Sequence, residues 1–225
     1  MTGDWATLVS HYERCFHRHG ASPLGVDWPN GIDLEARFAT LLSIVAGVPK
    51  EPPPVLLDVG CGPGLLLDYL LATGGIETIE YRGVDLSATM VEAARQRWPD
   101  KDFSVRDIVA QPLADESVDV VVVNGVLTEK LDLSQEAMVD LAQQLLIAAF
   151  RAARVGVAFN VMNSHVDWRR PDLFYWAFDD LTAFLAARLS RHYAFRADYG
   201  LYDYAAFVWR KPWRPPAVSP LWWER

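Results

Sequence analysis

Cysteine occurs only twice in this chain, at Cys15 and Cys61. The two are far apart and form no CxxC pair, so neither a disulfide framework nor a structural zinc site is indicated, and no metal is expected. Cys61 reads as small filler in a tight turn. Positive charge is also scarce. Against 29 acidic residues stand 21 Lys and Arg, a formal net charge of −8, and the isoelectric point lies near 5.1. Affinity for a phosphate backbone rests on Lys and Arg that release counterions, so this balance argues against nucleic acid as a partner. Long apolar runs are missing too: no stretch approaches the ~20 uninterrupted apolar residues of a membrane span. The opening MTGDWATLVSHYERC has neither a basic n-region nor an apolar h-region, and a cytoplasmic protein without membrane attachment is expected. No internal repeat or low-complexity segment is present.

What the chain does have is a core. Its 225 residues are 51% apolar, sufficient for one domain with a sizeable interior. Asp4 to about His19 places Trp5, Leu8, Val9, Tyr12 and Phe16 on an apolar helical stripe. HGASPLGVDWPNG then reads as a loop, and Asp33 reads as the cap of a helix running to about Ala46. Four prolines between Val48 and Pro54 close this helical preamble. From there strand and helix patterns alternate: VLLDVG, IEYRGVDL, DFSVRDI, SVDVVVVNGV and RVGVAFNVM as strands, with helices between them and Ser87 as the cap of SATMVEAARQRWP. Such alternation implies a parallel sheet with helices on both faces. A helix over Asp179–Leu189 follows, and HYAFRADYG and YDYAAFVWRK read as an antiparallel hairpin. The expected division is a helical cap over 1–53, a core over 54–211 and a Pro/Trp-rich tail over 212–225, whose Trp213, Trp222 and Trp223 are candidates for wrapping the surface or a partner.

The chemistry gathers where the first strand ends. Asp58-Val59-Gly60-Cys61-Gly62-Pro63-Gly64 leads straight into a helix, which puts peptide N–H groups at a crevice above the sheet, and glycine permits close approach and positive φ. An ordinary strand-to-helix turn has the same composition, so the end of the next strand decides. There Asp85 stands 21 residues beyond Gly64. In open α/β sheets ligands sit beyond the carboxyl ends of strands, and an acidic residue after the second strand can hydrogen-bond ribose hydroxyls. Nicotinamide and adenosylmethionine enzymes share that arrangement. Here the spacing is GxGxG rather than GxGxxG, an acidic residue precedes the first glycine by two positions, and helices occupy residues 1–53 ahead of the first strand; each favours adenosylmethionine.

On LLDVGCGPG and YRGVDLSATMVEAAR the sequence resembles the class I S-adenosylmethionine-dependent methyltransferases, over about Pro54 to Lys211. The resemblance implies a Rossmann-like α/β fold: seven strands in the order 3-2-1-4-5-7-6, strand 7 antiparallel, with S-adenosylmethionine as cofactor. It implies that Gly60, Cys61, Gly62 and Gly64 border the methionine part, with Asp58 near its amino group. Asp85 would hold the ribose hydroxyls, and Leu86 and Met90 would pack on the adenine. Asp107 would accept the adenine amino group, Ile108 would offer its backbone amide, and Asn124 and Gly125 would line the passage to the acceptor. For Asp107 a solvated turn residue stands as the alternative. From order along the chain, Trp28 and Arg37 in the preamble are candidates to cover the cofactor and meet its carboxylate; a packing anchor and a solvated helix charge are the alternatives.

Methyl transfer is a displacement at a sulfonium, so positioning dominates and strong catalytic motifs need not exist. A hydroxyl acceptor benefits from a general base. His165, in FNVMNSHVDWRRPDLFYW, is the favoured base and Glu129, after the fourth strand, the second candidate; a loop histidine bonded to a carbonyl and a surface charge are the corresponding alternatives. NGVLTEK lacks the NPPY-like motif of the family's enzymes acting on amino groups of nucleic-acid bases. The expected acceptor is therefore a small molecule or the sugar of a glycoconjugate, methylated on O or N rather than C, by a monomer or homodimer. A nucleotide-dependent oxidoreductase and a non-catalytic methyltransferase-like binding subunit are the competing readings.

Overall fold

The computed structural model describes residues 3–46 and 48–212; the tail tryptophans Trp213, Trp222 and Trp223 lie outside them. Seven strands, β1 (Val55–Val59), β2 (Glu80–Asp85), β3 (Asp102–Val105), β4 (Val118–Val123), β5 (Ala153–Met162), β6 (His192–Arg196) and β7 (Asp203–Trp209), form one sheet in the order β3-β2-β1-β4-β5-β7-β6. The pairs from β3 to β5 are parallel, and β7 runs antiparallel to both β5 and β6. The expected α/β fold and strand order are both observed. Around the sheet lie α1 (Gly3–His19), α2 (Gly31–Leu42), α3 (Leu65–Ala72), α4 (Ala88–Arg97), α5 (Gln135–Ala152) and α6 (Phe178–Arg188).

The central strand explains the two-layered cover. Val120 and Val122 of β4 belong to one apolar core, Val121 and Val123 to the other, and all four are fully buried. A strand covered on both faces has no solvent side, which is why VDVVVV reads as a nearly continuous apolar run. Its exception, Asp119, accepts hydrogen bonds from the Val55 amide and Arg154 Nε at 2.8 Å each and sits at the edge of the apolar stretch. The preamble joins these cores rather than standing apart from them. Trp5 and Leu8 of α1 enter one; Leu34, Phe38 and Leu41 of α2 enter the other.

Helix starts follow side-chain chemistry. Ser87 caps α4 as expected, accepting from the Met90 amide at 3.2 Å, and Ser134 caps α5 in the same way through Ala137 at 3.1 Å. For α2 the cap is Asn30, not Asp33: Asn30 has extended backbone and its Oδ1 accepts from the Ile32 amide at 2.9 Å. Asp33 falls inside the first turn, where its charge still complements the helix dipole. The helix stops at Leu42, short of Ala46, and continues as a 3-10 turn over Ser43–Val45. Replacing Ser134 with Ala removes one such cap and should cost about 1 kcal/mol of stability, read from the urea midpoint at unchanged m-value.

Candidate active site

The glycine loop is tied to the end of β2 by its own backbone. Amides of Gly60 and Cys61 donate to the Val84 carbonyl at 2.8 and 3.1 Å. The Gly62 amide donates to Asp85 Oδ2 at 2.8 Å, and the other oxygen of the same carboxylate accepts from the Ser87 amide at 2.8 Å. Ser87, besides capping α4, donates its hydroxyl to Glu13 of α1 at 2.6 Å. One carboxylate thus joins the loop, the second strand and the start of α4, and α1 is bonded to the same corner. Burial raises the Asp85 pKa, opposed by the N–H groups of Ser87, Gly62 and Leu86. At Gly60, with φ +77°, a Cβ would stand 2.2 Å from Val126 Cγ2, so a side chain here would be strained at its backbone and would have to push the Val126 side chain aside.

Beyond this corner lies a cleft enclosing about 1090 Å³, part of it open to solvent. Eleven of the residues expected to touch the cofactor line it: Trp28, Asp58, Gly60, Cys61, Gly62, Asp85, Leu86, Met90, Asp107, Ile108 and Asn124. Roofing it are Trp5, Leu8, Val9 and Tyr12 of α1, with Val26 from the following loop. Asp58 is buried, accepts from the Tyr81 hydroxyl at 2.8 Å, and has its pKa pushed up to about 7, chiefly by burial and further by the charge of Asp85. Asp107 Oδ1 accepts from the Val109 and Ala110 amides, so it shapes a turn as well as lining the cleft. The buried Oδ1 of Asn124 has no hydrogen-bond partner.

Two expected cofactor residues lie elsewhere. Gly64 starts α3 at φ +87°, and a Cβ there would meet Phe103 Cζ at 3.3 Å, so its smallness serves packing toward β3. Arg37 is neither free nor solvated. Its Nη2 and Nε donate to Asp203 at 2.8 and 3.1 Å, and its guanidinium lies 3.9 Å from the centre of the Trp28 ring. Its Nε–Nη2 edge is taken by Asp203, and Arg37 is not among the residues that line the cleft.

The two candidate bases also part. After β5 the chain doubles back, the Phe174 amide donating to the Thr128 carbonyl at 2.8 Å and the Trp176 amide to that of Met162 at 3.4 Å. Phe174 and Trp176 therefore fill the interior, and His165 is left on an outer cleft with Ser164, Arg169 and Tyr175, its ring stacked on Phe178. Glu129 is only 8% exposed, and its Oε2 is buried without a hydrogen-bond partner. Burial raises its pKa to about 7; Arg170 opposes the shift, and Asp27 and Asp172 add to it. Glu129 does not line the cleft itself. Its charge acts on Tyr12, which does, and whose hydroxyl donates to the Gly125 carbonyl at 3.2 Å. Sequence reasoning missed Tyr12, Glu13 and Asp203 as parts of this site; the signal for Asp203 was an acid at the head of an apolar strand.

Residues 57–146 match a family described as a methyltransferase domain. Rv1506c of Mycobacterium tuberculosis, which carries methyltransferase in its name, is 34% identical over 156 residues, covering 67% of this chain and 90% of that protein. The chain belongs to the methyltransferase family. A trans-aconitate 2-methyltransferase of Rhizobium rhizogenes is 36% identical over 83 residues, but that match spans only 31% of its length. Among solved structures, magnesium protoporphyrin IX methyltransferase from Synechocystis with bound S-adenosylmethionine superposes with a TM-score of 0.62 at 15% identity, covering 94% of this chain and 99% of that one, and shows the shared fold.

The cofactor of this methyltransferase is S-adenosylmethionine, and the cleft fits it. An orphaned Asn124 oxygen and the buried Asp58 carboxyl offer acceptors for the N–H groups of an amino acid. Asp85 and Asp107 offer oxygens to hydroxyl and amino donors, and Leu86, Met90 and Ile108 offer apolar contact to a flat base. Membership of the methyltransferase family sets the oxidoreductase alternative aside. Asp85→Ala should weaken S-adenosylhomocysteine binding at least tenfold in calorimetric titration, since charge-assisted hydrogen bonds of about 1.5–3 kcal/mol are lost and the Gly62 and Ser87 amides released; an unchanged dissociation constant refutes the role given to this carboxylate.

Proposed function

We propose that this methyltransferase moves the methyl group of S-adenosylmethionine to an O–H or N–H of a small molecule or of a glycoconjugate sugar, with Glu129 receiving the acceptor's proton. The observation that carries this reading is the orphaned, buried Oε2 of Glu129. A buried acceptor without a donor costs about 1–3 kcal/mol, and a hydroxyl or amine of the substrate would supply the missing donor, whereas a carbon nucleophile would not. Glu129 follows β4 by a few residues, just past Asn124 and Gly125, and its charge acts on Tyr12, which lines the cleft; an acceptor that passes Tyr12 reaches the carboxylate.

When bound, S-adenosylmethionine supplies an electrophilic methyl on a sulfonium. The work left to the chain is to exclude water, align the acceptor and take a proton. Held in the cleft, S-adenosylmethionine would give its methyl carbon to the acceptor's oxygen or nitrogen, its sulfur keeping the electron pair of the carbon–sulfur bond, and Glu129 would take the proton that the acceptor gives up. A base with pKa about 7 is suited to this at neutral pH. This assigns the base role to Glu129 and not to His165, which the doubled-back segment keeps on the outer cleft. The roof over the cleft and the net charge of −8 support a small acceptor and argue against nucleic acid. Among the described residues no helix is long and apolar enough to cross a membrane; we read the protein as cytoplasmic, a monomer or homodimer.

Acceptors bearing hydroxyl or amino groups are to be screened by release of S-adenosylhomocysteine, with the methylated atom located by mass spectrometry and NMR. Methylation on carbon would sink the O/N assignment. With an acceptor in hand, Glu129→Gln should lower kcat by roughly 10²–10⁴, leave the S-adenosylhomocysteine dissociation constant within about twofold, and remove a rise of rate with pH centred at about 7; wild-type turnover returns Glu129 to a structural role.

The same titration appears in stability. Glu129 and Asp58 both have folded pKa values raised to about 7 from ordinary values of 4.5 and 3.8. The folded chain then holds protons that the unfolded chain has lost, so their contribution is complete below those ordinary values and disappears as pH rises through about 7. Urea midpoints in a pH series should fall across that window, and Glu129→Gln should make the fall shallower.

A further inference from the structure

Three polar side chains meet in the interior where β5, β7 and α2 pack together. Asn160 and Asp203 are completely buried, and Arg37 is 7% exposed. A buried ion pair is weak evidence for stability, because apolar residues of similar volume often do as well or better. What distinguishes this one is where its hydrogen bonds lead.

Asp203 Oδ2 accepts from Asn160 Nδ2 at 2.8 Å, and Asn160 Oδ1 in turn accepts from the Gly125 amide at 2.8 Å. Gly125 adjoins Asn124, which lines the cofactor cleft. Along the other arm, Asp203 holds Arg37, and the Arg37 guanidinium supports the Trp28 ring from 3.9 Å. Trp28 and Gly125 face each other: a Cβ on Gly125 would come 3.2 Å from Trp28 Cζ2. Both arms that leave Asp203 therefore end on the same patch of the cleft wall, one from the core and one from the preamble. Tyr199 is a third partner of Asp203, donating at 3.1 Å, but leads nowhere further toward the cleft.

We propose that Asp203 is a positioning residue for the methyl donor: through Asn160 it sets the backbone at Asn124 and Gly125, and through Arg37 it holds Trp28 against that backbone. This rests on S-adenosylmethionine occupying the cleft, and it concerns residues that do not themselves touch the donor.

The test separates positioning from stability. Arg37→Met, Asp203→Leu and Tyr199→Phe are combined, which removes both buried charges and the Tyr199 hydroxyl and leaves Asn160 Nδ2 as the donor without its Asp203 acceptor. At an unchanged melting temperature, the proposal expects the dissociation constant of S-adenosylhomocysteine to rise at least tenfold. It also expects the Gly125 amide of the ligand-free protein to exchange at least tenfold faster by NMR. Affinity within about twofold of wild type together with unchanged exchange overturns it, since a purely structural pair would be replaced without consequence. Should the combined variant fail to fold, Arg37→Lys and Tyr199→Phe decide separately. The lysine keeps the charge but loses the two-pronged bond and the flat support of Trp28, so affinity should weaken measurably, whereas Tyr199→Phe should leave it unchanged; the reverse order overturns the proposal. If wild-type protein binds no S-adenosylhomocysteine, the cofactor reading fails on that result, and the Gly125 exchange rate still decides whether Asp203 governs this backbone.

Discussion

The Asp85 carboxylate accepts one backbone amide from the glycine loop and one from the entrance to α4, each at 2.8 Å. The first ties the glycine loop to the end of β2, beside the Gly60 and Cys61 amides on the Val84 carbonyl, and the second fixes the entrance of α4 on the same carboxylate. A carboxylate at this depth pays for desolvation, which burial of Asp85 expresses as a raised pKa. The cost is offset by N–H groups converging on it and by the positive end of α4, which begins at Ala88 immediately beyond. Ser87 extends the same corner outward, because its hydroxyl reaches Glu13 on α1. Roof and floor of the site are thus bonded within one short stretch of chain.

Acidic groups do several different jobs around this cleft. Asp58, in contact with the Tyr81 hydroxyl and pushed to about 7, is a group poised to lose or keep a proton according to what binds near it. Asp107 is partly consumed by the turn it shapes. Asp203 is wholly internal and acts through Asn160 and Arg37. Burial alone does not sort them; the number and kind of donors facing each carboxylate does.

Much of the framework was legible in sequence because its causes are local. VLLDVG and SVDVVVV announce buried strands, YRGVDL announces a second strand beside them, and Ser87 before a helical run announces a cap, and the structure bears each out. The glycine loop and Asp85 were readable for the same reason: both sit at the ends of strands that their own apolar runs announce. Local ambiguity produced the small error at α2, where Asn30 and Asp33 are both good caps and only backbone conformation chooses. Larger departures have non-local causes. Arg37 and Asp203 are 166 residues apart, so nothing near Arg37 reveals its partner. His165 was expected over the site because it follows β5, but Phe174 and Trp176 take the interior positions and the histidine is displaced outward. Gly64 belongs to a motif, yet its neighbours are Phe103 and Trp98 rather than the cleft.

Glu129 shows how roof and chemistry become coupled once both are placed. The strongest influence on its proton is burial, a property of the core. Asp27, however, belongs to the loop after α1, and its negative charge adds to the same upward shift. Asp27 is itself held by His11 of α1, which approaches it at 2.7 Å. Charge at a few ångströms acts strongly through a weakly polarisable interior and weakly through water. A roof seated on the core therefore favours the protonated form of Glu129, and solvent admitted between them relaxes that preference. The proton affinity of the proposed base is in this way a property of the assembled cleft, shared between α1, its following loop and the chain beyond β4.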